Sequence, residues 1–225
     1  MIKTCLINGS PKGDRSASRV ILDFVAQGLP KEHFDLTHVA LTTPQMDPTI
    51  LEEIVSSSIL LLAFPLYVDG VPSHVLRWLV ELEKVYTKKE GTKPLVYAFV
   101  NCGFYEAEQT HITLEILRNW CEKAALTWAQ GMGIGAGGVF VGLRNVPLGR
   151  WPFRALGQAM NIMSQNIRNQ AGAPDLFVSP DFPRLAYKAV AEFGWRRSIL
   201  RNGLQLRDLH RRVETAHSQS GPEPN

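Results

Sequence analysis

The run SSILLLAF, residues Ser57–Phe64, is continuously apolar after its two serines and shows no alternation of polar and apolar positions. A strand with one exposed face alternates with a period of two, whereas a strand that is covered on both faces does not. The run therefore predicts a strand in the interior of a parallel sheet.

Similar short apolar runs recur on either side of this one and alternate with amphipathic segments. The other predicted strands are Ile2–Asn8, Phe34–Leu41, Pro94–Asn101 and Thr127–Ile134. The predicted helices are Ser16–Gly28, His74–Tyr86 and Thr110–Leu126. The last helix is expected to bury a row of residues spaced by four, namely Ile112, Ile116, Trp120 and Ala124. This alternation of strands and helices predicts a doubly wound α/β sheet.

The composition narrows the class of protein. The 225 residues include 45% hydrophobic and 20% charged residues, which is ordinary for a soluble domain. No apolar run reaches the roughly 18 residues of a membrane span. Three widely spaced cysteines, Cys5, Cys102 and Cys121, favour a reducing cytoplasm over a disulfide framework. No Cys/His pair has the spacing of zinc ligands, so we expect no metal site.

Ligands of doubly wound sheets bind where strands end and helices begin, so the loops after the predicted strands are the candidate site. Four of these loops are rich in Gly, Pro and small polar residues: Gly9–Ser18, Pro65–Ser73, Asn101–Gln109 and Gly131–Gly138. Because the carboxyl ends of parallel strands share one edge of a sheet, we expect the four loops to gather there.

The first loop, GSPKGDRSAS, has the chemistry of an anion site. Gly9 permits a sharp exit from the strand. Ser16 and Ser18 fall at a helix start, where backbone amides lack partners, and Lys12 adds a positive charge. Hydroxyls, amides and a helix dipole together suit a phosphate. The alternative is an ordinary loop with a serine N-cap.

Two familiar nucleotide motifs do not explain the glycines of this chain. A Walker motif needs a second glycine five residues after Gly9, where Asp14 stands. Gly131, Gly133 and Ala136 match the dinucleotide pattern G-x-G-x-x-A, but the segment that follows contains further glycines and a proline and is a poor helix. We interpret the second match as a glycine-rich connection.

Three segments in this order, NGSPKGDRSAS, AFPLYVDGVPSHVLRWL and VNCGFYEAEQ, resemble the NADPH-dependent FMN reductase and NAD(P)H quinone reductase family. The resemblance covers residues 1 to about 135. It implies a flavodoxin-like, doubly wound parallel sheet of five strands in the order 2-1-3-4-5, with helices on both faces and a C-terminal helical extension. It also implies FMN as cofactor, NAD(P)H as co-substrate, and a homodimer.

By this resemblance the first loop binds the FMN phosphate, and the next two loops hold the isoalloxazine ring. The implied phosphate-binding residues are Ser10, Lys12, Ser16 and Ser18. The implied ring-binding residues are Pro65, Leu66, Tyr67, Val68, Asn101, Cys102, Gly103, Phe104 and Tyr105. Because the flavin carries the hydride chemistry, no catalytic side chain is expected.

The helix after the second loop departs from the family. Leu76, Val80 and Glu81 stand about where many relatives have Lys and Asp-Arg, so the contacts made through that helix, often dimer contacts, are not carried over. His74 is interpreted as a partly exposed helix residue rather than an acid or base. Cys102 is interpreted as a small buried residue rather than a redox-active thiol.

The chain is predicted to divide into three parts: a flavodoxin-like FMN-binding domain at 1–180, a basic helical extension packed on that domain at 181–216, and a disordered tail at 217–225. Residues 135–157 are predicted to form a long loop with several glycines and arginines, which is interpreted as a lid that helps admit NADPH. A helix at Arg154–Gln170 and a short strand at Leu176–Ser179 are expected to follow.

The segment Arg184–Arg212 is strongly basic. It contains eight cationic residues and two acidic ones, Glu192 and Asp208, so its net charge is +6. The net charge of the remainder of the chain is −3. A helix that ends at Asn202-Gly203 is predicted to dock on this acidic body. Weak contact with an anionic membrane is the alternative. No motif that reads nucleic acid is present.

Three functions remain open at this point. The first is an FMN-dependent oxidoreductase that passes electrons from NAD(P)H to a quinone, flavin, nitro or azo compound. The second is a flavodoxin-type electron carrier, a class that is typically acidic and short, whereas this chain has a net charge of +3 and extra segments. The third is a flavin-free binding module, which the intact serines and Lys12 disfavour.

Overall fold

The computed structural model of the chain describes residues 1–142 and 149–210. It contains two compact units, one spanning Met1–Asp181 and a second that begins at Phe182. The predicted tail at 217–225 and part of the predicted loop at 135–157 lie outside the described residues.

The first unit is built on one sheet of six parallel strands in the order β2-β1-β3-β4-β5-β6. The strands are β1 (Ile2–Asn8), β2 (Phe34–Ala40), β3 (Ile59–Pro65), β4 (Leu95–Asn101), β5 (Thr127–Ile134) and β6 (Leu176–Val178). The predicted α/β sheet and the order of its first five strands are confirmed. The predicted number of five strands is wrong, because β6 pairs with the outer edge of β5 and adds a sixth.

Helices cover both faces of this sheet. The α-helices that the structure describes are α1 (Ala17–Gln27), α2 (Pro48–Ser56), α3 (Ser73–Lys88), α4 (His111–Lys123), α5 (Gly137–Gly142), α6 (Arg154–Arg168) and α7 (Arg184–Arg201). Helices α2, α3 and α4 contribute to the apolar layer on one face of the sheet, and α1 and α6 contribute to the layer on the other.

Strand β3 explains why the run at Ser57–Phe64 lacks alternation. Its residues are buried on both faces of the sheet, with only the last one partly exposed. Leu60 and Leu62 enter the layer that contains Trp78 of α3, whereas Leu61 enters the layer that contains Met163 of α6. A strand in this position has no solvent side, and the prediction of an interior strand is confirmed.

Local capping sets the starts of α1 and α2. The Ser16 hydroxyl accepts a hydrogen bond from the Arg19 amide at 3.1 Å and begins α1, close to its predicted start. Helix α2 is absent from the prediction, although its signals are visible in the sequence. Asp47 accepts a bond from the Thr49 amide at 2.8 Å, and Pro48 occupies the first turn.

The apolar face predicted for α4 is partly wrong. Trp120 is buried as expected, but Ile112 and Ile116 are exposed, and Leu114 and Leu117 are buried instead. The row of residues spaced strictly by four drifts around a helix by about 40° per step. The predicted row therefore starts on the solvent side and reaches the core only at its C-terminal end.

The segment after β5 also differs from the prediction. Gly137–Gly142 forms the short helix α5 inside the segment predicted as a loop. Helix α6 begins at Arg154 as expected and ends at Arg168. Within the parts of the chain that the structure describes, no helix is long and apolar enough to cross a membrane.

The residues of the second unit that the structure describes include α7 and a short 3-10 turn at Leu206–His210. Helix α7 ends next to Gly203, whose φ of +73° is a conformation that glycine adopts readily, and the predicted stop is confirmed. No residue of α7 is buried. The predicted docking of this helix on the first unit stays a prediction.

Candidate functional site

The carboxyl ends of the strands share one edge of the sheet, and a cavity of about 350 Å³ opens there. That volume falls within the range of about 300–1,000 Å³ typical of small-molecule sites. Its lining residues are Ser10, Lys12, Arg15, Ser16, Ala17, Ser18, Pro65, Tyr67, Asn101, Gly137 and Gly138. The structure thus brings together residues from four loops that are far apart in the sequence.

Asn8, the last residue of β1, organises the first loop from below. Its side-chain oxygen accepts a hydrogen bond from the Ser10 amide at 3.0 Å, and its side-chain nitrogen donates to the Gly13 carbonyl at 3.0 Å. Because Asn8 is buried, these bonds do not compete with water. They draw the two sides of the loop together, and the sequence analysis does not single out this residue.

The three loop serines are buried but have different roles. The Ser16 hydroxyl donates to the Gly13 carbonyl at 2.6 Å and caps α1, so its hydrogen is already engaged. The Ser18 hydroxyl accepts from Asn101 Nδ2 at 3.0 Å, which leaves its own hydrogen available. The Ser10 hydroxyl accepts from the Lys12 amide at 3.4 Å and likewise retains its hydrogen. Ser10 and Ser18 are therefore the available hydroxyl donors, and Ser16 is structural.

The start of α1 supplies amide donors and the loop supplies charge. The amides of Ala17 and Ser18 are the first two of the helix and have no intrahelical acceptor. Both residues line the cavity, as do the exposed cations Lys12 and Arg15. Among the described residues neither cation forms an ion pair, whereas Arg19 is paired with two aspartates nearby. This loop can therefore hold a dianion.

The second loop forms a tight turn at the end of β3. The amide of Tyr67 donates to the Gly70 carbonyl at 3.1 Å, and the Gly70 amide donates back to the Tyr67 carbonyl at 3.0 Å. Val68 and Asp69, between them, have φ values of +48° and +57°. Pro65 and Tyr67 line the cavity, whereas Leu66 is buried in the apolar core and Val68 is fully exposed.

The third loop lies beside the second, because Pro65 and Asn101 are register partners in β3 and β4. Asn101 lines the cavity, and its Nδ2 also donates to the Phe64 carbonyl at 3.1 Å. Phe104 is exposed beyond the cavity lining. The Tyr105 hydroxyl donates to the Pro180 carbonyl at 3.2 Å and stays outside the lining.

Cys102 and Gly103 complete this loop without lining the cavity. Cys102 is buried, and its thiol donates to the Phe104 and Glu106 carbonyls. Burial raises the pKa of the Cys102 thiol, so the thiol stays protonated near neutral pH. The side chain of Cys102 is therefore placed as a packing group, and Gly103 is exposed.

The fourth loop approaches the cavity closely through glycine. A Cβ on Gly137 would lie 2.7 Å from Asn101 Oδ1 and 3.1 Å from Asn101 Cβ, so only glycine fits there without displacement. The Gly137 amide donates to the Cys102 carbonyl at 2.7 Å. Four lining residues, Arg15, Ala17, Gly137 and Gly138, are absent from the predicted site residues, although they lie in two of the loops that the sequence predicts to form the site.

His74 lies at the start of α3, close to the first loop. Its Nε2 donates to the Gly9 carbonyl at 3.1 Å. This contact ties α3 to the exit of β1, and the residue is half-buried. The side chain does not line the cavity.

The sheet order and the site at its carboxyl edge define a flavodoxin-like α/β protein. No protein-family model and no curated protein matches the chain. Its structure is similar to an NADH:FMN oxidoreductase in its apo form, with a TM-score of 0.56, 11% identity, and coverage of 77% of this chain and 91% of that chain.

Two further solved structures show the same likeness. An NADPH-quinone reductase from P. pentosaceus has a TM-score of 0.52 and 11% identity, and the match covers 76% of this chain and 100% of that chain. A WrbA-like flavodoxin from Agrobacterium tumefaciens has a TM-score of 0.52 and 14% identity, with coverage of 76% and 99%. At these identities the likeness establishes the flavodoxin-like fold.

Proposed function

We propose that the protein is an FMN-dependent oxidoreductase that passes electrons from NAD(P)H through bound FMN to a small acceptor such as a quinone, flavin, nitro or azo compound. The observation that carries this proposal is the continuity of the cavity. It joins a dianion-binding loop after β1 to a turn with an aromatic residue after β3, which are the two surfaces that a phosphorylated flavin requires.

The donor set of the first loop fits a terminal phosphate. Ser10 and Ser18 offer hydroxyl hydrogens, and the amides of Ala17 and Ser18 add donors along the axis of α1. Lys12 and Arg15 supply two positive charges that no described carboxylate neutralises. In this proposal these residues hold the phosphate of FMN, and Ser16 fixes the start of the helix.

The neighbouring loops fit a flat apolar ring. Pro65 and Tyr67 offer apolar surface on one side, and Asn101 offers polar atoms next to it. Bound FMN would accept hydride from NAD(P)H and pass electrons to the acceptor. The protein's part is to bind, orient and exclude water, and neither His74 nor Cys102 is assigned an acid–base or redox role.

Flavin reconstitution and turnover test this function. The purified chain is incubated with FMN, separated from free flavin, and assayed for steady NADPH and NADH consumption with 1,4-naphthoquinone. Retained flavin with turnover supports the oxidoreductase. Retained flavin without turnover favours the electron carrier, and the absence of any flavin uptake would leave the flavin-free binding module.

We also propose that the protein is a homodimer through the exposed face of α3 and α4. Trp120 Nε1 donates to the Leu79 carbonyl at 2.8 Å and holds these helices side by side. The face is defined by the exposed apolar residues Leu76, Val80, Ile112 and Ile116. An apolar face spread over two helices is a common interface feature.

Light scattering after gel filtration tests the dimer. The wild-type chain is expected to elute with twice the chain mass, and the double variant Val80→Asp, Ile116→Asp with the mass of one chain. Ile162→Asp, an exposed residue of α6, is the control and is expected to stay dimeric. A wild-type protein that is monomeric at all concentrations would refute the dimer.

We also infer that α7 makes contact with anionic membranes. It carries Arg196, Arg197 and Arg201, whose positive charges would be attracted to an anionic lipid surface, together with the exposed aromatic residue Trp195. Co-sedimentation is expected with vesicles that contain phosphatidylserine and to fall with Arg196→Glu, Arg197→Glu. Equal sedimentation with neutral vesicles would remove the idea.

A further inference from the structure

The turn after β3 contains a residue whose side chain disfavours the backbone conformation that it adopts. Val68 has φ +48°, in the left-handed region that β-branched residues rarely enter. A turn of this shape, with positive φ at both central positions, favours Asn or Gly at the first of them. The chain instead has Val68 followed by Asp69, and Gly70 comes one position later.

Packing within the chain does not explain this choice. The Val68 side chain is 101% exposed, so it gains no burial that would offset the unfavourable conformation. The flanking Tyr67 is 44% exposed, and Phe104, on the loop after the neighbouring strand, is 54% exposed. Exposed apolar side chains that lie together on a surface are a feature of binding sites.

The position of Val68 is nevertheless fixed. The turn is closed by the two hydrogen bonds between Tyr67 and Gly70. The Leu66 amide donates to the Asn101 carbonyl at 2.8 Å, and the Thr113 hydroxyl of α4 donates to the Asp69 carbonyl at 3.2 Å. The turn is therefore anchored to β4 and α4, and it presents Val68 in one place.

We propose that Val68 is a specificity-determining residue that contacts the electron acceptor, and that the acceptor is a neutral, flat, apolar ring. The proposal rests on the proposed function, since the cavity lined by Pro65 and Tyr67 is taken as the flavin site. A ring that approaches this site meets Val68 at its outer rim. The exposed carboxylate of Asp69 next to it disfavours an anionic acceptor.

The substitution Val68→Asn distinguishes the effect of backbone strain on stability from the effect of the apolar side chain on acceptor binding. Asn tolerates positive φ, so the melting temperature is expected to rise by about 2 °C. Asn also removes the apolar surface, so KM for 1,4-naphthoquinone is expected to rise about fivefold with kcat unchanged. Ile162→Asn, which removes an exposed apolar side chain from α6, is the control and is expected to change neither KM nor kcat.

A second arm tests the acceptor class without turnover. Binding of 1,4-naphthoquinone to the FMN-loaded protein is measured by calorimetry in the absence of NAD(P)H, and Val68→Asn is expected to weaken it about fivefold. The 2-sulfonate of the same quinone is expected to bind more weakly than the neutral compound, and Asp69→Asn is expected to reduce that difference about threefold.

The outcomes are distinct. A higher melting temperature with unchanged quinone affinity would overturn the contact role of Val68, and a lower melting temperature would overturn the strain on which it rests. Weaker quinone binding in a protein that shows no turnover would support the contact and count against the proposed function alone. A wild-type protein that binds no quinone at all overturns this inference.

Discussion

The loop after β1 and the turn after β3 lie at the same edge of the sheet but are built in opposite ways. In the first loop, buried polar side chains hold the backbone: Asn8 bonds to both sides of the loop and Ser16 caps the helix. In the turn, backbone bonds close the structure and apolar side chains are exposed, with Val68 and Asp69 at positive φ.

The difference shows two ways in which a site can be built into a fold. The shape of the first loop is set by its own bonds before any ligand arrives, which is the arrangement that favours tight anion binding. The turn keeps a conformation that its sequence disfavours, and its exposed residues gain nothing from the fold. Loss of a side-chain hydrogen bond should therefore lower stability in the first loop, whereas replacement of Val68 by a residue that tolerates positive φ should raise stability in the turn.

The largest effect is expected for Asn8→Ala. It leaves the buried Ser10 amide without its acceptor and removes one of the hydrogen bonds to the Gly13 carbonyl, so the free energy of unfolding should fall by about 3 kcal/mol. Urea unfolding measures this change. The control Asn119→Ala, at an exposed position of α4, should change the same quantity by less than about 0.5 kcal/mol. Equal effects of the two variants would contradict the organising role of Asn8.

A smaller effect on stability but a clear effect on binding is expected for Lys12→Ala. Loss of this exposed cation should weaken FMN binding about tenfold, because a charge-assisted contact to phosphate is lost. Fluorescence titration of FMN measures the affinity. Lys31→Ala removes an exposed cation between α1 and β2, at the opposite edge of the sheet, and should leave the affinity unchanged. An unchanged affinity for Lys12→Ala would show that Lys12 does not contact the phosphate.

The side-chain anchor of the turn is tested by Thr113→Val in α4. This nearly isosteric change removes the hydrogen bond to the Asp69 carbonyl, and the free energy of unfolding should fall by about 1 kcal/mol. Chemical unfolding of this variant beside Asn8→Ala compares the two regions directly. A loss as large as that of Asn8→Ala would erase the distinction between a loop held by side chains and a turn held by its backbone.

The smallest effect is expected from the three buried thiols. Burial raises the pKa of Cys5 and of Cys121 to about 12 and raises that of Cys102. The folded chain should therefore react slowly with a thiol reagent at pH 8, and the unfolded chain should react at all three cysteines. The pKa values of Cys5 and Cys121 are higher in the folded chain than in the unfolded chain. The contribution of these thiols to the free energy of unfolding is therefore complete below about pH 9 and is lost as the pH rises toward 12. Rapid labelling of Cys102 in the folded state would contradict this account.

The same contrast explains what the sequence could predict. Strands such as β3 and the cap at Ser16 depend on neighbouring residues, so pattern and spacing locate them. The cavity lining by Gly137 depends on contact with Asn101, which is distant in the chain, and spacing carries no such information. Val68 was predicted to be near the site but not at positive φ, because a β-branched residue argues against that conformation.

Two further differences have a similar cause. The faces of α4 are set by packing against the sheet and α3, and the regular spacing of Ile112 and Ile116 points to the wrong side. The strand predicted at Leu176–Ser179 is present as β6, but its membership of the sheet was not predicted, because it depends on pairing with the edge of β5. Local pattern can locate a strand, whereas tertiary pairing decides which sheet position it takes.

The most direct test of the central claim compares FMN with riboflavin, which lacks the phosphate, by calorimetric titration of the same protein. If the loop after β1 holds the phosphate, FMN should bind about 100-fold more tightly than riboflavin, and inorganic phosphate should weaken FMN binding competitively. Equal affinity for the two flavins, with no effect of inorganic phosphate, would contradict the account.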